Sequence, residues 1–217
     1  MPQEEKGKLV LSKKDALNDD HGSNGKYVYP QNQAFKPGIL DIESLSIYDM
    51  QEAWGFNVKM RHLHDPGWHP EFGFQLTFLA IAIRDESSDE PFISETGKGS
   101  KYHLKKQRTF NRIIYVGGGL EIIESSGQRL AQYIPVQVEY PLGFIKIRQI
   151  RFKIPKTYLP GLNTNSVITI LSGAQDDHGG AGIGDFRAVR TEAGEWYGGS
   201  AGKNESVSPV FDILEVN

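Results

Sequence analysis

WGFNVKM, residues 54–60, alternates without a break. Trp54, Phe56, Val58 and Met60 fall on one side of an extended chain, with Asn57 and Lys59 on the other. A period of two with one apolar face is the mark of a half-buried antiparallel strand. The neighbouring segments agree. RIIYVG (112–117) and LEIIES (120–125) flank the Gly117–Gly119 turn, and FGFQLTFLAIAI (72–83) ends apolar on both faces, as a central strand covered on each side would. ILDIESLSIYDM (39–50), YIPVQVEY (133–140), VITILSG (167–173) and VFDILEV (210–216) complete the set.

FIKIRQIRFKIP (144–155) changes parity. Ile145 and Ile147 share one face, and Ile150, Phe152 and Ile154 share the other. A β-bulge or kink near Arg148 and Gln149 accounts for the switch. KTYLPG after Pro155 reads as a short helical turn, and no long amphipathic helix is present. With 24 Gly and 11 Pro punctuating the apolar runs, the chain reads as all-β. About nine to ten strands predict an antiparallel β-sandwich, formed as one domain over residues 1–217. The long polar stretch from Asp85 to Lys106 predicts a mobile excursion on one edge.

The bulk numbers narrow the function. Hydrophobic residues make up 38% and charged residues 24%, and the net charge is −3. That balance is globular and offers no clustered basic face for nucleic acid. The run KYHLKKQR (101–108) reads as a solvated edge. The absence of cysteine excludes disulfides, thiolate metal sites and cysteine nucleophiles. No apolar stretch approaches the ~18 residues of a membrane span. The opening MPQEEKGKLVLSKKD lacks the apolar core of a secretory signal.

Two loops share the letters DDHG, at residues 19–22 and 176–179. The first places Asp15, Asn18, Asp19 and Asp20 within six positions, followed by Gly22 and Gly25. Calcium takes six to eight oxygen ligands, and a tight glycine-bearing loop can present several. The helix–loop–helix calcium spacing is not matched. A cluster of Asx-turns is the competing reading. The second loop, QDDHGGAGIGDFR (175–187), reads as a flexible surface turn; no helix follows its glycines to cradle a phosphate.

His62 and His64 share a strand face, with His69 and Glu71 nearby, which is metal-ligand chemistry without the spacing of a known H-x-H site. They read as exposed strand histidines. No G-x-S-x-G elbow stands in the chain, and nothing brings acids such as Glu192 and Glu195 into a catalytic pair, so no enzyme is expected. Trp68, in HDPGWHP, and Trp196-Tyr197, in AGEWYGG, lie among Gly and Pro rather than at core positions. Flat aromatic faces with polar neighbours suit stacking on sugars, so Trp68, Trp196 and Tyr197 are the candidate carbohydrate-binding residues. Covering the open end of the sandwich is the other use for them.

KDALNDDHGSNGKYVYPQNQAFKPGILDIESLSI resembles the opening of the C-terminal module of glucodextranase-like proteins. Asp15, Asp19, Asp20, Gly22, Gly25, Tyr27, Tyr29, Pro30, Phe35, Pro37, Gly38, Asp41 and Ile42 stand in matching places. IRFKIPKTYL, ILSGAQDDHGGAGIGDFRAV, EAGEWYGG and SPVFDILEV resemble its later segments. Ala16 and Asn18 depart from the family's Pro and Gly, residues 86–107 are unmatched, and the 140s carry extra residues.

The resemblance implies a DOMON-like sandwich related to family 9 carbohydrate-binding modules. It implies binding of a polysaccharide or oligosaccharide without catalysis. It also implies a secreted, periplasmic or cell-surface setting, with a leader that has been removed. It implies structural calcium, and adds Asp41 to Asp15, Asp19 and Asp20 as expected ligands. Two alternatives stay open. Some relatives of the fold hold haem through methionine and histidine, for which Met50, Met60, His62 and His64 are available. A structural or adhesive surface module, engaging other domains or proteins without a small ligand, is the other.

Overall fold

The computed structural model describes residues 7–65, 67–180, 182–202 and 207–217. The expectation for the opening residues therefore lies partly outside the described chain, as do Pro66 and Ala181 in two of the loops discussed above. The strands in order are β1 (Lys8–Lys14), β2 (Ile42–Asp49), β3 (Ala53–Met60), β4 (Thr77–Arg84), β5 (Arg112–Gly117), β6 (Gly119–Glu124) and β7 (Arg129–Tyr133). They continue with β8 (Gly143–Phe144), β9 (Gln149–Pro155), β10 (Val167–Asp176), β11 (Asp185–Phe186), β12 (Val189–Arg190), β13 (Gly198–Gly199) and β14 (Asp212–Val216). The only helical pieces among the described residues are short 3₁₀ turns, and none is long and apolar enough to cross a membrane.

Two antiparallel sheets face each other. One runs β1-β2-β3-β9-β8. The other runs β11-β10-β4-β5-β6-β7, with β14 also paired to β10. The register explains the alternation that opens the sequence argument. Trp54, Phe56 and Val58 pair with Ile154, Phe152 and Ile150, so both strands aim their even-numbered residues at the core. Phe56 and Phe152 stack at 5.1 Å with 9° between their planes. Across the gap stand Leu79, Ile81, Ile83, Ile114, Ile168 and Ile170, all buried. The Trp54 indole N–H donates to the Leu159 carbonyl at 2.9 Å, which satisfies the one polar atom of a buried ring.

The parity switch has a definite form. After β8 the chain makes a 3₁₀ turn over Ile145–Ile147, and Arg148 adopts φ 57°, the left-handed region. β9 then restarts on the opposite parity. Two expectations differ. YIPVQVEY is not a strand: β7 ends at Tyr133, and Val136, Val138 and Tyr140 are exposed. With Pro135 inside the run and Pro141 directly after it, the segment lacks ladder donors at both places. KLVLSKK, which the sequence reading passed over, forms β1 along the outer edge of the first sheet.

The polar excursion is also placed differently. It lies across the outer face of the second sheet rather than on an edge. Leu104 and Phe110 join Phe78, Ala80, Tyr115, Leu171 and Phe186 in a second apolar layer. Phe78 and Ala80 alternate with Leu79 and Ile81, so β4 is covered on both faces, as its sequence predicts. The Tyr115 hydroxyl donates to the Thr96 carbonyl, and the Asn111 carboxamide both accepts from the Asp85 N–H and donates to its carbonyl, at 2.8 and 2.9 Å. Leu104→Ala is expected to cost about 2–3 kcal/mol in urea unfolding, as a buried leucine does. A change below about 0.5 kcal/mol, the surface value, would return the segment to an edge loop.

Candidate functional site

Residues 15–41 link β1 to β2 without a long strand of their own. They form a strap over one end of the sandwich. Glycines turn it: Gly22 and Gly25 both sit at φ 67°. A Cβ on Gly22 would lie 2.3 Å from the Tyr27 ring, so position 22 excludes every side chain on space as well as on φ. Tyr27 and Tyr29 set their rings edge-on to Phe211 at 5.5 and 5.4 Å, and the Tyr27 hydroxyl donates to the Ser208 carbonyl at 2.9 Å. Farther along, backbone hydrogen bonds zip the strap to the AGEWYGG loop. Val28 pairs with Gly199, Gln31 N–H donates to Gly194 at 2.8 Å, and Asn32 N–H donates to Glu195 at 2.9 Å.

At the start of the strap, carboxylates meet. Asp19, Asp41 and Asp212 each bring one oxygen within 4.8 Å of the others. Asp41 and Asp212 are buried, and Asp19 is exposed at the mouth. The Asp41 Oδ2 accepts from the Asn18 N–H at 2.8 Å and lies 3.4 Å from Arg61 Nη1, while its Oδ1 is buried with no hydrogen-bond donor. The Asp15 Oδ2 is also buried without a donor. Asp212 accepts from the Ile42 N–H at 2.7 Å and the Ile213 N–H at 2.6 Å. Three converging acids, with orphan oxygens on Asp41 and on the neighbouring Asp15, make a hard, oxygen-only donor set of the kind that alkaline-earth cations take.

Burial pushes the Asp212 carboxyl up to about 8, with the charges of Asp15 and Asp19 adding to it. Burial likewise pushes Asp15 up to about 6, and Asp19 and Asp20 upward. Of the four ligands expected from the sequence, Asp19 and Asp41 are in the group of three and Asp15 borders it. Asp20 has another partner: it accepts the Tyr29 hydroxyl, which in turn accepts the Leu40 N–H at 3.2 Å. Asp212 was missed. Its signal was in the sequence, because it shares the buried parity of β14 with Leu214 and Val216. An acid on a core-facing strand position needs a reason.

At the other end of the strap, Trp68 and Trp196 come together, rings 6.3 Å apart at 62°. Trp196 also meets Phe35 edge-on at 6.3 Å, which anchors it to the apolar cluster under the strap. Trp68 is 64% exposed. Its loop is held by Gln75, a buried residue of the turn before β4. With its carboxamide oxygen toward the loop, it accepts from the N–H groups of Trp68 and His69 at 3.1 Å each. The two indoles wall a cleft of about 540 Å³, with Asn32, Gln33, Lys36 and His64 around them. Tyr197 does not line this cleft; the Arg190 guanidinium covers its ring at 3.9 Å.

The remaining sequence candidates fall elsewhere. His69 pairs with Glu71 at 3.0 Å. His62 and His64 lie at the end of β3, and burial holds both below the usual histidine range. Met60 is wholly buried in the core between the sheets. The second DDHG loop is closed by its own ion pairs. Asp176 lies 3.5 Å from Arg187, His178 lies 3.0 Å from Asp185, and Lys98 lies 3.7 Å from Asp185. Asp176 and Asp185 are thus matched by cations, whereas the acids of the first loop crowd one another.

The described residues form a β-sandwich with a paired-tryptophan cleft beside its strap. Residues 10–217 match the family described as the C-terminal, SLH-like binding module of glucodextranase, and the chain belongs to that family. The family is one of binding modules rather than catalytic domains. Comparison with curated proteins gave no match.

The raised carboxyls set a pH dependence for the metal-free chain. A carboxyl with a folded pKa above its unfolded value stabilises the fold when protonated, and that stability is lost as pH rises through the folded pKa. From pH 7 to 9, in chelator, Asp212 alone should lower stability by about 1 kcal/mol, or about 3 °C in melting temperature. Asp212→Asn should flatten the profile over that window. A wild-type profile already flat there would show Asp212 to be ionised and compensated.

Proposed function

We propose that the chain is a non-catalytic carbohydrate-binding module of the cell exterior, secreted or surface-held, in which calcium fixes the strap. The sugar reading is carried by one observation: an exposed Trp68 held edge-to-face against Trp196 over a cleft with carboxamides at its rim. Leaving a large indole in water costs hydrophobic free energy unless something covers it. A pyranose ring supplies C–H faces for the indoles and hydroxyls for Asn32 and Gln33. The glucodextranase family supports a glycan ligand and an extracellular setting. Affinity electrophoresis through soluble glucans tests this. Trp68→Ala and Trp196→Ala should each weaken binding about ten-fold, or ~1.4 kcal/mol. Equal retention by both variants removes the cleft from the site.

The calcium reading rests on the orphan oxygens. Asp19, Asp41 and Asp212 would hold the ion, with Asp15 beside them. Bound there, the ion would neutralise mutually repelling acids and tie the start of the strap to β14. Titration of chelator-treated protein with calcium by calorimetry should give one site. Saturating calcium at about 100 times Kd should stabilise the fold by about 2.7 kcal/mol, read as a higher melting temperature. Asp41→Asn should abolish both signals. No heat and an unchanged melting temperature would reject the ion.

A surface module engaging another protein is the second reading. The exposed Val136, Val138 and Tyr140 after β7 support it.

A further inference from the structure

We propose that the tryptophan cleft selects acidic sugars: its ligand is a glycan residue bearing a carboxylate, held between the indoles and Lys36. The inference rests on the reading that the cleft binds glycan, and adds the chemical class.

The charge around the cleft is one-sided. Lys36 and His64 line it, and no carboxylate does. Lys36 has no ion-pair partner among the described residues, whereas Arg61 and Arg148 are engaged. Arg61 lies against Asp41 at 3.4 Å, and Arg148 against Glu43 at 3.3 Å. Lys36 is exposed, but its backbone is fixed. Its N–H donates to the Ala34 carbonyl at 3.0 Å, and Ala34 N–H donates to the Asn32 Oδ1 at 3.0 Å. Asn32 is fixed by the AGEWYGG zip. The backbone that carries the ammonium is thus tied to the same loop that carries Trp196.

The nearby acids stand outside the cleft lining and offset it only in part. Glu195 is turned to Asn32, whose Nδ2 donates to its Oε1 at 3.2 Å. Asp65 is exposed and acts on His64. The Lys36 charge reaches both His62 and His64, where after burial it is the next cause holding them below the usual range, and Arg148 adds to it at His62. A neutral sugar would leave Lys36 without an ionic partner. A carboxylate would take a charge-assisted hydrogen bond from Lys36 while its ring stacks on the indoles. It would also favour protonated His64, so affinity should rise as pH falls from 7 to 5, a range in which uronate carboxyls stay ionised. The chain's overall charge of −3 gives no general attraction for polyanions, so the preference would be local.

Matched polymer pairs test it: carboxymethyl-dextran against dextran, and polygalacturonate against its methyl ester, in affinity electrophoresis at pH 5.5 and 7.5. The wild type should bind at least one acidic polymer ten-fold or more tightly than its neutral partner, more so at pH 5.5. Lys36→Met should abolish that preference, read as the ratio of acidic to neutral affinity within each pair, so that any general loss of binding cancels. Lys105→Met, an exposed lysine on the excursion, removes equal charge and should leave the preference intact. Trp68→Ala should weaken binding of both polymers of a pair alike, about ten-fold. Neutral binding without acidic preference, or a preference that survives Lys36→Met, overturns the acidic-sugar inference and leaves the glycan reading standing. Binding of no polymer, acidic or neutral, overturns both.

Discussion

The binding end of the molecule depends on two adjacent residues at the start of β14. Phe211 and Asp212 point to different surroundings and secure the strap from both. Phe211 is buried against Tyr27 and Tyr29, and its carbonyl accepts the Gly22 N–H at 2.8 Å. Asp212 accepts the Ile42 N–H and gathers with Asp19 and Asp41. The apolar contacts favour the docked strap outright. The acids oppose it while they are ionised and unpaired, because each is taken out of water next to others of the same sign. The strap is therefore held by hydrophobic burial and backbone pairing against an electrostatic cost that a divalent ion would reverse.

Most of the sandwich was legible because its strands keep strict parity. The pairing of Trp54, Phe56 and Val58 with Ile154, Phe152 and Ile150 follows from two runs that alternate in step. The break at Arg148 was legible for the same reason. YIPVQVEY failed because alternation says nothing about the supply of N–H donors, and a proline stands inside that run and another directly after it. The excursion failed because its polar composition hid Leu104, whose burial depends on an outer sheet face that no local pattern announces.

The two DDHG loops show how much a short motif leaves open. The letters are identical, but the first loop sends Asp19 toward Asp41 and Asp212, and the second closes on Arg187, His178 and Lys98. What differs is the sign of the neighbours, and those neighbours are set by long-range pairing. Asp212 lies 193 positions beyond Asp19, so the group of three could not be assembled from spacing. Trp68 and Trp196, 128 positions apart, were found by composition instead, since glycine-rich surroundings take an aromatic out of the core. The same logic singled out Tyr197, where a neighbouring arginine occupies the ring face.

Gly22 and Tyr27 occupy the same small volume, the ring standing where the smallest side chain on residue 22 would begin. The two positions are therefore coupled: a side chain at 22 needs the ring of residue 27 to leave, and with it go the hydrogen bond to Ser208 and the edge contact on Phe211. The positive φ at 22 would still favour glycine after that, so the turn is held twice over.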